Sequence, residues 1–143
     1  KSLMPGDNIY KTFPNLYTIR GTTHRDVAGW VSSLDKMRSH EAEFIFPSHT
    51  KPIIGSEEAM EALTIYRDAI QYVHDQTIRL MNEGYYPDQI VEMVELPDSI
   101  KNSPYLSEFY GTVRWSVKSI FNGYLGWFNG NPADLDPLCL ALM

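Results

Sequence analysis

The segment between Gly55 and Gly84 constrains this chain most. Ser56 to Glu83 contains neither proline nor glycine, and Glu57 and Glu58 sit in its first turn, where the helix dipole favours acids. Gly84 offers a C-terminal cap. Met60, Leu63, Tyr66, Ile70, Val73, Thr77 and Met81 recur at helical spacing, so one long helix is predicted as the spine of the domain. Ile65, Ile78 and Leu80, beside Ile70 and Val73, give it apolar residues on more than one face, which points to a dimer element.

Shorter elements surround this spine. Val27, Trp30, Val31, Leu34 and Met37 form an apolar stripe for a helix over about 24–38, opened by a capping box of Thr23 and Asp26. Glu43 to Pro47 is an apolar run stopped by proline, hence a strand, followed by the loop Ser48-His49-Thr50-Lys51-Pro52. Pro87 fits the first turn of a short helix over Asp88 to Glu95, and a last helix spans roughly Thr112 to Tyr124. Residues 1–21 alternate turn formers with short β-favouring runs such as Leu16-Tyr17-Thr18-Ile19, and predict a strand and loops. The fold class is therefore mainly α with a short β/loop portion at the N-terminus.

Composition narrows the partners. The chain of 143 residues carries a net charge of −6 and no basic run, which argues against nucleic acid or an anionic membrane surface. No stretch reaches the ~18–20 apolar residues needed to span a bilayer. Cys139 is a single cysteine in an apolar tail and reads as a small hydrophobe. The abrupt start at Lys1-Ser2-Leu3 and the apolar end read as a fragment of a longer protein.

The chemistry concentrates in Asn15-Leu16-Tyr17-Thr18-Ile19-Arg20-Gly21-Thr22-Thr23-His24-Arg25-Asp26. Arg20 ends a strand-like run, Arg25 lies at a helix start, and the bend between them lets both guanidinium groups converge on an oxyanion, with Asn15, Tyr17 and Thr18 as further donors. The alternative is a surface pair of Arg25 with Asp26 and a strand-end charge at Arg20. His49, just past a strand, is a candidate metal ligand, or simply a hydrogen-bonding histidine. His74 and Asp75 fit a tie between helices, while His24 and His40 look like surface residues.

Several strings together resemble one family, the zinc-dependent alkyl sulfatases of the metallo-β-lactamase superfamily. They are Asn15-Leu16-Tyr17-Thr18-Ile19-Arg20-Gly21, Arg25-Asp26, Ser48-His49, Arg67-Asp68, His74-Asp75-Gln76-Thr77, Tyr110-Gly111-Thr112 and Gly126-Trp127-Phe128-Asn129-Gly130-Asn131-Pro132. The resemblance implies that residues 1–55 are the end of a metallo-β-lactamase-like αββα catalytic domain and 56–143 a helical dimerisation domain. It implies a homodimeric parent that hydrolyses alkyl sulfate esters with two zinc ions. Asn15, Tyr17, Thr18, Arg20, Arg25 and Tyr110 would meet the sulfate, His49 would be a zinc ligand, and Asp7 would stand where the family has a zinc-bridging glutamate. The H-x-H-x-D-H zinc motif of that family is absent from these residues, and Pro14 stands where a histidine is usual, so catalysis and zinc retention are not expected of this chain alone. Members are often bacterial and exported. The competing readings are a stand-alone helical scaffold and a related hydrolase of another ester.

Overall fold

A computed structural model describes residues 1–18, 20 and 22–136. Its order is β1 (Ser2–Gly6), α1 (Val27–Arg38), β2 (Phe44–Pro47), β3 (Ile53–Ile54), α2 (Ser56–Asn82), α3 (Pro87–Met93) and α4 (Val113–Leu125), then a 3-10 turn over Pro132–Asp134. Cys139 lies outside the described residues.

The uninterrupted stretch after Gly55 forms α2, whose C-cap is Glu83, with Gly84 at φ +90° just beyond. α2 packs on α1, the sheet, α3 and α4. Leu63, Tyr66, Ile70, Val73 and Leu80 are buried with Leu34, Ile45, Ile90, Val117 and Ile120 in one core. Full burial of such a side chain contributes about 1.5–3 kcal/mol each before entropy is counted. Ile70, Val73 and Leu80, expected on a dimer face of α2, are consumed inside the chain, and Ile65 and Ile78 pack against the same core.

Asp26, not Thr23, caps α1: its carboxylate accepts from the Gly29 N–H at 2.8 Å, so the helix opens at Val27 and not near residue 24. Thr112 caps α4 in the same way through the Trp115 N–H. Leu16, Tyr17 and Thr18 form no strand, because their backbone pairs with nothing in the sheet; Leu16 is instead fully buried against the helices, and Ile19 lies outside the described residues.

The sheet has the order β1-β2-β3. β1 and β2 are parallel, Leu3 opposite Ile45, joined through α1 as the crossover, and β3 returns antiparallel. The inward residues Ile45 and Ile53 are buried, yet Met4, Phe46 and Ile54 leave the outer face apolar and exposed. Among the described residues no helix is long and apolar enough to cross a membrane.

Candidate functional site

Parallel pairing fixes the site. The carboxyl ends of β1 and β2 lie side by side, and each is followed at once by a functional side chain, Asp7 after Gly6 and His49 after Pro47-Ser48. Ser48 donates its N–H to the Gly6 carbonyl at 3.1 Å and continues the pairing past the strands. Asp7 Oδ1 and His49 Nε2 thereby approach to 3.5 Å, both largely exposed. Thr50, next in the loop, has φ +71°, a strained conformation for a β-branched residue, and its hydroxyl accepts from the Lys11 N–H at 3.2 Å.

The helix starts supply the other side. Arg25 immediately precedes the cap of α1, and Tyr110 lies two residues before the cap of α4. With Asp7, Tyr10, Thr12, Arg20, His49 and Thr50 they line a cavity of about 420 Å³. One Arg25 Nη donates to the Asn15 carbonyl at 2.9 Å, and the guanidinium lies 5.6 Å from the Trp30 ring centroid. The Trp30 indole N–H in turn donates to the Asn8 carbonyl at 2.9 Å, beside Asp7.

Neither Arg20 nor Arg25 forms an ion pair among the described residues. The Asp26 carboxylate serves the Gly29 N–H, so a surface Arg25–Asp26 pair is not what holds this arginine. Two guanidinium groups without a carboxylate partner, at one cavity with a tyrosine, suit an oxyanion.

Not every residue of the polar stretch turns inward. The Asn15 side chain accepts the Tyr17 N–H at 3.3 Å, and only its backbone serves the site, through the carbonyl on Arg25. Tyr17 and Thr18 line a different groove of about 710 Å³ with Trp115, Lys118 and Trp127. There the Tyr17 ring meets Trp115 edge-on at 5.4 Å, and its hydroxyl donates to the Tyr110 carbonyl at 3.3 Å.

Sequence reasoning missed Tyr10, Thr12 and Thr50. The Tyr10 hydroxyl accepts the Asn15 N–H at 2.9 Å and its ring packs edge-on to Tyr110 and Tyr66; burial pushes the phenol above its ordinary value. Its signal was faint, an aromatic with a polar tip inside a turn-rich segment. Beyond the cavity, His74 bridges Asp75 at 2.8 Å and the Tyr124 hydroxyl at 2.9 Å, a tie of α2 to α4.

A zinc ion takes about four ligands. Asp7 and His49 would supply two, and among the described residues no group of three His, Cys, Asp or Glu side chains converges. The described residues do not by themselves complete a zinc site.

The architecture thus defines a mainly helical domain with a small sheet at one end and a cationic cavity at the seam. Residues 86–141 match the family model described as alkyl sulfatase dimerisation. A linear primary-alkylsulfatase of Pseudomonas sp. is 52% identical over 128 residues, 89% of this chain and 24% of that protein. An alkyl/aryl-sulfatase of Saccharomyces cerevisiae is 35% identical over 87% of this chain and 20% of its own length. The solved structure of a stereoselective inverting sec-alkylsulfatase from Pseudomonas sp. superposes with a TM-score of 0.89 at 28% identity, over 96% of this chain and 22% of that one. The chain is thus similar to alkylsulfatases along most of its length, with the match to their dimerisation domain at residues 86–141; it spans about a quarter or less of the length of the curated relatives it matches.

Proposed function

We propose that this chain is the sulfate-gripping and dimerising part of an enzyme that hydrolyses alkyl sulfate esters to an alcohol and inorganic sulfate. The observation that carries the reading is the convergence of Arg20, Arg25 and Tyr110 on one cavity, with both guanidinium groups outside any ion pair among the described residues. Planar forks match the oxygens of a sulfate group, and held in place they stabilise charge as the ester bond breaks. Removing one such donor from a catalytic site costs on the order of 3 kcal/mol in transition-state energy.

Residues 1–55 would be the end of the catalytic domain and 56–143 the dimerisation domain. The apolar outer face of the sheet, with Met4, Phe46 and Ile54 exposed, supports that division, because parallel sheets are normally covered on both faces. The zinc pair that the resemblance implies would take Asp7 and His49 from this chain and its other ligands from elsewhere in the parent. A homodimer is supported by the exposed apolar residues Trp115, Tyr124, Leu125 and Trp127, all within the stretch that matches the dimerisation family.

The test is a sulfate titration of this chain followed by NMR, with alkyl sulfate hydrolysis measured on the whole parent enzyme, each alongside Arg20→Ala. Sulfate-dependent shifts at Arg20 and Arg25, and a roughly hundredfold fall in parent turnover with Arg20→Ala, are expected. A parent inert towards sulfate esters, or one indifferent to the substitution, would overturn the reading.

A further inference from the structure

Both ends of the arginine segment rest on glycines of the α4 region. Gly111 is buried beneath the backbone of Pro14 and Asn15: a Cβ there would stand 2.1 Å from the Pro14 carbonyl oxygen, 2.4 Å from its carbon and 2.8 Å from the Asn15 nitrogen. Real Cβ contacts essentially never fall below 3.0 Å, and these neighbours are main chain with no rotamer to yield. Gly123, near the other end of α4, faces the His24 ring, with Cδ2 at 2.5 Å and Cγ at 2.7 Å from the place a Cβ would take. Neither position has a positive φ, so the demand is for space and not for backbone freedom.

Between these seats, Leu16 and Tyr17 meet the helix. Tyr17 stacks edge-on against Trp115, and Ser119 Oγ donates to the Leu16 carbonyl at 3.4 Å. What the first seat locates is the carbonyl that receives Arg25, since Asn15 O accepts from that guanidinium at 2.9 Å. The second locates His24, the residue bonded to Arg25. Tyr110, which lines the same cavity, is the neighbour of Gly111. The bed of the arginine segment therefore belongs to the stretch that matches the dimerisation family, not to the sheet that carries Asp7 and His49.

We propose that Gly111 and Gly123 are positioning residues of the anion cavity: by bearing no side chain they let α4 hold Asn15 and His24 where Arg25 is aimed into the site. The proposal rests on the reading of the cavity as a sulfate site. A methyl at residue 111 must push the Pro14–Asn15 main chain away by about 1 Å, and a displacement of that size at a positioning contact can cost about a hundredfold.

The experiment compares this chain with Gly111→Ala, Gly123→Ala, His24→Ala and the double variant Gly123→Ala/His24→Ala, reading sulfate affinity and the Arg25 side-chain NMR resonances. Gly111→Ala is expected to weaken sulfate binding at least about tenfold and to move the Arg25 resonances even without sulfate, as the bond to Asn15 is lost. Gly123→Ala is expected to weaken it less, and the double variant to return to the affinity of His24→Ala alone, a rescue that general loss of helix stability would not give. If Gly111→Ala does not fold, Gly123→Ala and its rescue decide. Folded glycine variants with unchanged affinity and unmoved Arg25 resonances would overturn the proposal. If the unsubstituted chain binds no sulfate, the functional reading fails, and the Arg25 resonances still decide the positioning role.

Discussion

Tyr10 and Tyr66 lie edge-on, 6.0 Å apart, and differ in what their hydroxyls do. The Tyr10 hydroxyl takes the Asn15 N–H, whereas the Tyr66 hydroxyl is buried with no hydrogen-bond partner among the described residues, and burial raises its phenol far above the ordinary value. A stranded buried donor costs about 1–3 kcal/mol, and deleting it removes that cost. Tyr66→Phe is therefore expected to leave the unfolding free energy from denaturant titration unchanged or to raise it by up to about 1 kcal/mol. Tyr10→Phe strands the Asn15 N–H and is expected to lose about 1–3 kcal/mol. A loss on Tyr66→Phe as large as on Tyr10→Phe would show that the Tyr66 hydroxyl is satisfied in solution.

At the scale of elements, α3 is tied to α4 by surface charge pairs, Asp88 with Lys118 at 2.8 Å and Glu92 with Arg114 at 2.6 Å. The Lys118 ammonium holds the Asp88 carboxyl below the usual range, and the Arg114 guanidinium does the same for Glu92. Both carboxyls are more acidic folded than unfolded. Their contribution is thus complete above the unfolded values of about 4 and is lost as pH falls through the lower folded values. Amide exchange in α3, corrected for intrinsic rates, is expected to lose protection below about pH 4, by no more than about 1 kcal/mol for the exposed Asp88 pair. The double variant Asp88→Asn/Glu92→Gln should abolish that pH dependence, and its persistence would refute the assignment.

Which elements were legible follows from where their bonds come from. α2 was readable almost to the residue because its hydrogen bonds are local and its ends are marked by Gly55 and Gly84. β1 was not, because Pro5 and Gly6 look like a turn and only β2, some forty residues later, supplies its partners. Leu16 to Thr18 has strand-like residue types, but their burial is satisfied by helices and not by a sheet neighbour. Asp7 and Tyr110 came from the family resemblance, whereas residue chemistry pointed to Arg20, Arg25 and His49. It could not tell that Tyr17 and Thr18 face the other groove, which depends on how α4 lies beneath them.

For the whole molecule, the distribution of exposed apolar surface decides how copies could meet. The stripes of α2 are spent in the core, which leaves a groove beside α4 where two exposed aromatics lie together, Trp115 at 54% and Trp127 at 67% exposure. Stable interfaces bury about 800 Å² on each partner, and aromatic anchors dominate their energy. If copies pair through this surface, a charge at its most exposed aromatic must be desolvated against apolar neighbours, whereas in a monomer it stays in water. Trp127→Glu is accordingly expected to leave thermal stability at low concentration nearly unchanged and to weaken self-association by about 2–4 kcal/mol, roughly 30- to 800-fold. Sedimentation velocity across a concentration series reads both species directly. An unchanged dimer in the Trp127→Glu variant would move the interface elsewhere, with the exposed Met4, Phe46 and Ile54 of the sheet as the next surface to charge.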